Sequence, residues 1–94
     1  MANYTIIGLG RIGTSLGMAI RGRQGKKSTV IGYDADNNTQ SLAQRMGAVD
    51  SVEWELSKAV GDADLVIVAT PARSVHDVFT AIAPHLKNLS LIHI

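Results

Sequence analysis

The stretch Ala63-Asp-Leu-Val-Ile-Val-Ala-Thr70 holds five apolar residues in a row, with almost no alternation. A strand with one wet face alternates apolar and polar residues, so a continuous run needs cover on both faces. Tyr4–Gly8 and Thr29–Tyr33 are similar short runs, β-branched and aromatic and bounded or broken by glycine. Between them the apolar period changes. Ile12, Leu16, Ala19 and Ile20 recur at helical spacing and predict a helix from Arg11 to about Arg21. Leu42, Ala43 and Met46 predict a second helix, N-capped by Asn37 and stopped at Gly47. Val75, Val78, Phe79 and Ile82 predict another after Pro71, bent or closed by Pro84. Val49–Trp54 reads as a short strand or an extended connection, Ser57–Val60 as one or two helical turns, and Leu89–Ile94 as a last apolar run. Strand–helix alternation with continuously apolar strands predicts a parallel sheet covered by helices on both faces.

The 94 residues suffice for one domain. A chain of this size buries roughly 60–70% of the surface its unfolded form exposes, enough for one core. A formal net charge of +1 gives no general pull toward nucleic acid or an anionic membrane. One tryptophan and two tyrosines are too few for a base-stacking platform. With no cysteine, disulfides and thiolate metal sites are excluded, which fits a reducing cytoplasm. No signal peptide is visible, and the apolar runs fall far short of the ~20 residues a membrane helix needs. A soluble cytoplasmic protein is expected.

Gly8, Gly10 and Gly13 form G-x-G-x-x-G at the junction of the first strand and first helix. In a dinucleotide fold the first glycine makes the tight turn, the second lets a pyrophosphate reach the main chain, and the third lets helix and strand pack closely. The free N–H groups and partial positive charge of the helix start then receive the phosphates. An acidic residue is expected about 20 positions further on, closing the second strand and holding the adenosine ribose hydroxyls. Asp34 stands there. The prediction is an α/β, Rossmann-like three-layer αβα domain over residues 1–94, strand order 3-2-1-4-5. A carboxylate at this point repels a 2′-phosphate, and Ala35-Asp36-Asn37 offers no arginine to receive one, so NAD is expected over NADP.

Arg11 lies inside the glycine loop, where it can touch phosphate or a substrate carboxylate, or face solvent. Thr70 and Pro71 follow the fourth strand at its carboxyl end, where ligands bind in open α/β sheets. Arg21, Arg23, Lys26 and Lys27 cluster at the end of the first helix, where cations are favoured in any case. Arg73, His76 and His85 read as surface positions. No Ser/His/Asp set, metal-ligand spacing or carboxylate pair stands out. No catalytic residue and no metal site is therefore assigned.

The stretches IIGLGRIGTSL (6–16), VIGYD (30–34) and ADLVIVATP (63–71) together resemble the cofactor domain of prephenate/arogenate dehydrogenases, and APHLK (83–87) is similar to the segment before that family's fifth strand. The resemblance covers nearly the whole chain. It implies NAD(P)-dependent oxidative decarboxylation in tyrosine biosynthesis, in which hydride passes to nicotinamide as carbon dioxide departs. Carried over, Gly8, Gly10 and Gly13 match the pyrophosphate loop; Leu9, Arg11 and Ile12 fill its variable places; Asp34 matches the ribose acid; Thr70 and Pro71 match the fourth strand's end. In the family a glycine–serine segment, a hydroxyl-polarising histidine and a helical domain follow the fifth strand. The sequence stops at Ile94, before them, so the domain is expected to be incomplete at its C-terminal end. By itself it is expected to bind nucleotide and catalyse nothing. An open fifth-strand edge at Leu89–Ile94 suggests a homodimer joined there. Two alternatives remain open: a non-catalytic nucleotide-binding regulatory module, and the cofactor domain of a hydroxyacid- or imine-reducing dehydrogenase.

Overall fold

The computed structural model describes residues 2–24, 28–61, 63–70, 72–85 and 90–93. Its elements run β1 (Ala2–Ile7), α1 (Arg11–Gln24), β2 (Ser28–Tyr33), α2 (Asn37–Arg45), β3 (Ser51–Val52), α3 (Leu56–Gly61), β4 (Leu65–Val68), α4 (Ala72–Ile82) and β5 (Ser90–His93). A 3-10 turn at Ala83–His85 closes α4, as Pro84 requires. All strand pairs are parallel, in the order β3-β2-β1-β4-β5. This is the expected α/β topology. Val49–Trp54 contributes only a two-residue strand.

The strand pleat divides the interior into two cores. Ile6, Val30 and Ile67 face one side, with Leu9, Ala43, Ala48 and Val49; Leu16 and Ile20 of α1 pack against them. Ile7, Val66 and Val68 face the other side, with Val60, Ala63 and Ile82; Val78 and Phe79 of α4 pack there. Consecutive residues of one strand thus serve opposite layers, the reason the strands read as continuously apolar.

Leu16, Ile20, Ala43, Val78, Phe79 and Ile82 face the cores as the periodicity suggested, while α1 and α2 depart from it at other positions. In α1, Ile12 is 55% exposed and Ala19 is also on the outside. Buried Gly13 and Gly17, one turn apart, let the helix sit close to its neighbours: a Cβ on Gly17 would overlap the Ala48 carbonyl. In α2 the buried residues are Gln40 and Ala43, while Leu42 and Met46 are about half exposed. The N-cap of α2 is Asp36, one residue earlier than expected. Its carboxylate accepts hydrogen bonds from the N–H groups of Asn38 and Thr39. The helix ends as expected before Gly47, which takes φ +81°.

Thr5 fastens α3 beneath the sheet: its buried hydroxyl donates to the Ala59 carbonyl at 2.6 Å. Thr5→Val keeps the shape and removes that bond. A loss of about 1–3 kcal/mol is expected in urea unfolding; an unchanged midpoint would show that the bond contributes nothing.

Candidate functional site

The register of the three central strands builds the site. Ile7 lies level with Tyr33 on one side and Val68 on the other. The residues that follow, Gly8, Asp34 and Ala69, therefore emerge side by side at the carboxyl edge of the sheet. Two backbone bonds stitch them: Gly8 N–H donates to the Tyr33 carbonyl at 2.8 Å, and Ala69 N–H to the Ile7 carbonyl at 2.7 Å.

The glycine loop turns here. Gly8 has φ +100°, and a Cβ on it would lie 2.8 Å from the carbonyl of Ala69, so any side chain is excluded twice over. A Cβ on Gly13 would overlap the Gly8 carbonyl oxygen. Gly10 differs from both, because its Cβ position faces open space. The first bond of α1 runs from Thr14 N–H to the Gly10 carbonyl at 2.9 Å. The N–H groups of Arg11, Ile12 and Gly13 consequently have no acceptor within the helix. No carboxylate sits in that first turn; its one charged side chain is Arg11. The local field favours an anion.

Asp34 closes the turn. Its Oδ2 accepts from the Leu9 N–H at 2.7 Å and its Oδ1 from the Asp36 N–H at 2.8 Å. Each carboxylate oxygen keeps a lone pair beyond the one engaged. Asp34 thus holds the loop in shape and still has acceptor capacity toward solvent.

A cleft of about 720 Å³ opens over this edge. Gly8, Gly10, Arg11, Ile12, Asp34 and Thr70 all line it. The Thr70 Oγ is buried without a hydrogen-bond partner. Leu9 and Gly13, also named from the sequence, stand behind the surface. Leu9 is 2% exposed with its side chain in the core, and enters the site only through the amide bound to Asp34. Pro71 lies outside the described residues. The sequence reading passed over the apolar wall of Tyr33, Leu56, Ala69 and Val78, and the polar Ser74 and Asp77 of α4. Helical spacing from Val78 places Ser74 on the same face, but only the fold brings Leu56 of α3 across to meet them.

A second hollow, about 510 Å³, lies at the opposite end of β2, beside Arg21, Ser28 and Asp50. The Arg21 guanidinium is engaged by Asp50 at 3.0 Å and by the Gly47 carbonyl at 2.8 Å. Those bonds brace α1 against the turn before β3. His76 is exposed and is not among the residues lining either hollow. Among the described residues no group of three metal-ligating side chains converges, and no helix is long and apolar enough to cross a membrane.

Comparison with known proteins agrees with this geometry. The chain is 37% identical over 85 residues to a cyclohexadienyl dehydrogenase of Zymomonas mobilis, covering 90% of this chain and 29% of that one. It is 35% identical over 71 residues to a prephenate dehydrogenase of Lactococcus lactis, covering 76% of this chain and 19% of that one. The chain therefore spans less than a third of the length of these relatives. The structure of prephenate dehydrogenase from A. aeolicus, solved with hydroxyphenyl propionate and NAD+, superposes with a TM-score of 0.86 at 24% identity, over 99% of this chain and 33% of that one. That likeness is one of fold. The model of the prephenate dehydrogenase nucleotide-binding domain matches residues 16–93, beginning just after the glycine loop. The chain belongs to the prephenate dehydrogenase nucleotide-binding domain family.

Proposed function

We propose that residues 1–94 form one dinucleotide-binding unit that holds NAD in preference to NADP. In this reading the diphosphate rests on the N–H groups at the start of α1, with Gly10 leaving it room and Arg11 adding a cation. Asp34 accepts hydrogen bonds from the adenosine ribose hydroxyls. The adenine lies along the apolar wall of Tyr33, Leu56 and Val78, and Thr70, with Pro71 after it, attends the nicotinamide side. The residues fit such a ligand in a specific way: a buried, unpartnered Thr70 hydroxyl and an open Gly10 flank the same cleft as a preset carboxylate. When bound, the cofactor supplies a hydride acceptor; the chain's own residues bind it, orient it and exclude water from its diphosphate.

Asp34 carries the preference for NAD. Its charge faces the position a 2′-phosphate would take, and Asp36 two residues on adds a second negative charge. No arginine or lysine follows β2 before Arg45. The A. aeolicus enzyme was solved with NAD+, which supports the same choice.

The relatives' names support a role in oxidising prephenate or a similar cyclohexadienyl acid; a place in tyrosine biosynthesis and in the cytoplasm belongs to the same reading. That activity belongs to proteins more than three times as long. The family match favours this reading over a regulatory module or a hydroxyacid- or imine-reducing enzyme. A pairing of two copies through the outer edge of β5 belongs to the same reading, because among the described residues β5 is bonded on one side only, to β4. Light scattering at high concentration is expected to find dimers; a clean monomer would dispose of the pairing.

Calorimetric titration tests the cofactor reading. Hydrogen bonds to a charged acceptor are worth about 1.5–3 kcal/mol, so Asp34→Ala is expected to weaken NAD binding at least tenfold and to narrow its advantage over NADP. Tighter binding of NADP than NAD by the unaltered chain would refute the preference.

A further inference from the structure

Gln40 is the one fully buried amide side chain among the described residues, with 0% exposure on the inner face of α2. Its Oε1 accepts the Asp34 N–H at 2.8 Å. Because that partner can only donate, the orientation of the amide is fixed, and Nε2 is left buried with no acceptor. A methionine or leucine would fill the same space beside Ala43 without burying an unpartnered NH2, at the loss of the acceptor for the Asp34 N–H. The glutamine therefore sits where core packing alone would not put it.

Its single bond falls at an informative place. The ladder between β2 and β3 stops at Gly32 and Val52, so Asp34 N–H lies past the last paired residue of β2. Gln40 replaces the missing strand partner. The Asp34 peptide is then held from α2 by Gln40, while the Asp34 carboxylate is held by Leu9 of the loop and by Asp36 at the cap of α2. Backbone and side chain of one residue are pinned at three points, one on the glycine loop and two on α2 and its cap.

We propose that Gln40 is a positioning residue for ribose recognition: it sets the Asp34 main chain so that the carboxylate meets the adenosine 2′-hydroxyl. This rests on the ribose-binding reading of Asp34. Gln40 touches no ligand and acts through Asp34 alone. Its loss is expected to remove the hydroxyl-dependent part of binding and to leave the rest.

The experiment compares NAD with its analogue lacking the adenosine 2′-hydroxyl, by calorimetry, in the unaltered chain and in Gln40→Met. In the unaltered chain the analogue is expected to bind about tenfold more weakly, the worth of one hydrogen bond to a charged acceptor. In Q40M that ratio is expected to fall below about threefold, with the analogue's own affinity little changed. A Q40M chain that is less stable but keeps the tenfold ratio would overturn the proposal and make Gln40 a core filler. Failure of the unaltered chain to discriminate the two ligands would instead sink the ribose reading, and this proposal with it. Amide hydrogen exchange on the unaltered chain gives a second measurement, independent of how Q40M folds. Asp34 N–H is expected to exchange far more slowly than Ala35 N–H, and more slowly again with NAD bound. Equal exchange at the two positions would overturn the proposal.

Discussion

The carboxylate of Asp34 is the joint on which the site depends. A loop that turns through φ +100° at Gly8 and starts a helix three residues later exposes several N–H groups at once. Left alone, such a loop has many conformations. One oxygen of Asp34 takes the Leu9 N–H and the other takes the Asp36 N–H, so the ends of β1 and β2 and the start of α2 are fixed relative to one another. Bonds within the protein thus hold the loop main chain, which lowers the ordering that binding an anion there would cost.

The fold makes that joint possible through register. Parallel strands hydrogen-bonded with Ile7, Tyr33 and Val68 in one line deliver three chain ends to one edge. Two cores on opposite sheet faces hold that register, since a slip of one residue would exchange Ile6 with Ile7 and turn each toward the wrong layer. Packing against α1 needs the missing side chain at Gly13, so the same glycine pattern serves the core behind the loop and the cleft in front of it.

Much of this was legible in the sequence, and for physical reasons. Continuous apolar runs gave away a doubly covered sheet, and the spacing from the glycine loop singled out Asp34, which the fold brings to the cleft. What could not be read depends on the third dimension. Leu9 fills a variable place of the loop, yet the turn at Gly8, through φ +100°, swings its side chain into the core beside Ile6, Val30 and Val49. Three adjacent residues, Asp36, Asn37 and Asn38, all make good N-caps; the extended φ −89°, ψ 112° at Asp36 decides among them. On α2 the apolar Leu42 and Met46 drew the eye, whereas the buried face carries Gln40, whose value lies in a bond to a residue on another element. Leu56 and Asp77 reach the cleft only because α3 and α4 cover the same sheet face.

On the proposed function the dinucleotide enters the cleft above the glycine loop and not the hollow braced by Arg21 and Asp50. Backbone amide shifts followed by NMR during titration with NAD test it most directly. The account expects the largest movements at Gly8 to Gly13, Asp34 and Thr70, with Arg21, Ser28 and Asp50 nearly still. Shifts gathered around Arg21 and Asp50, or a spectrum that saturating NAD leaves unchanged, would contradict it.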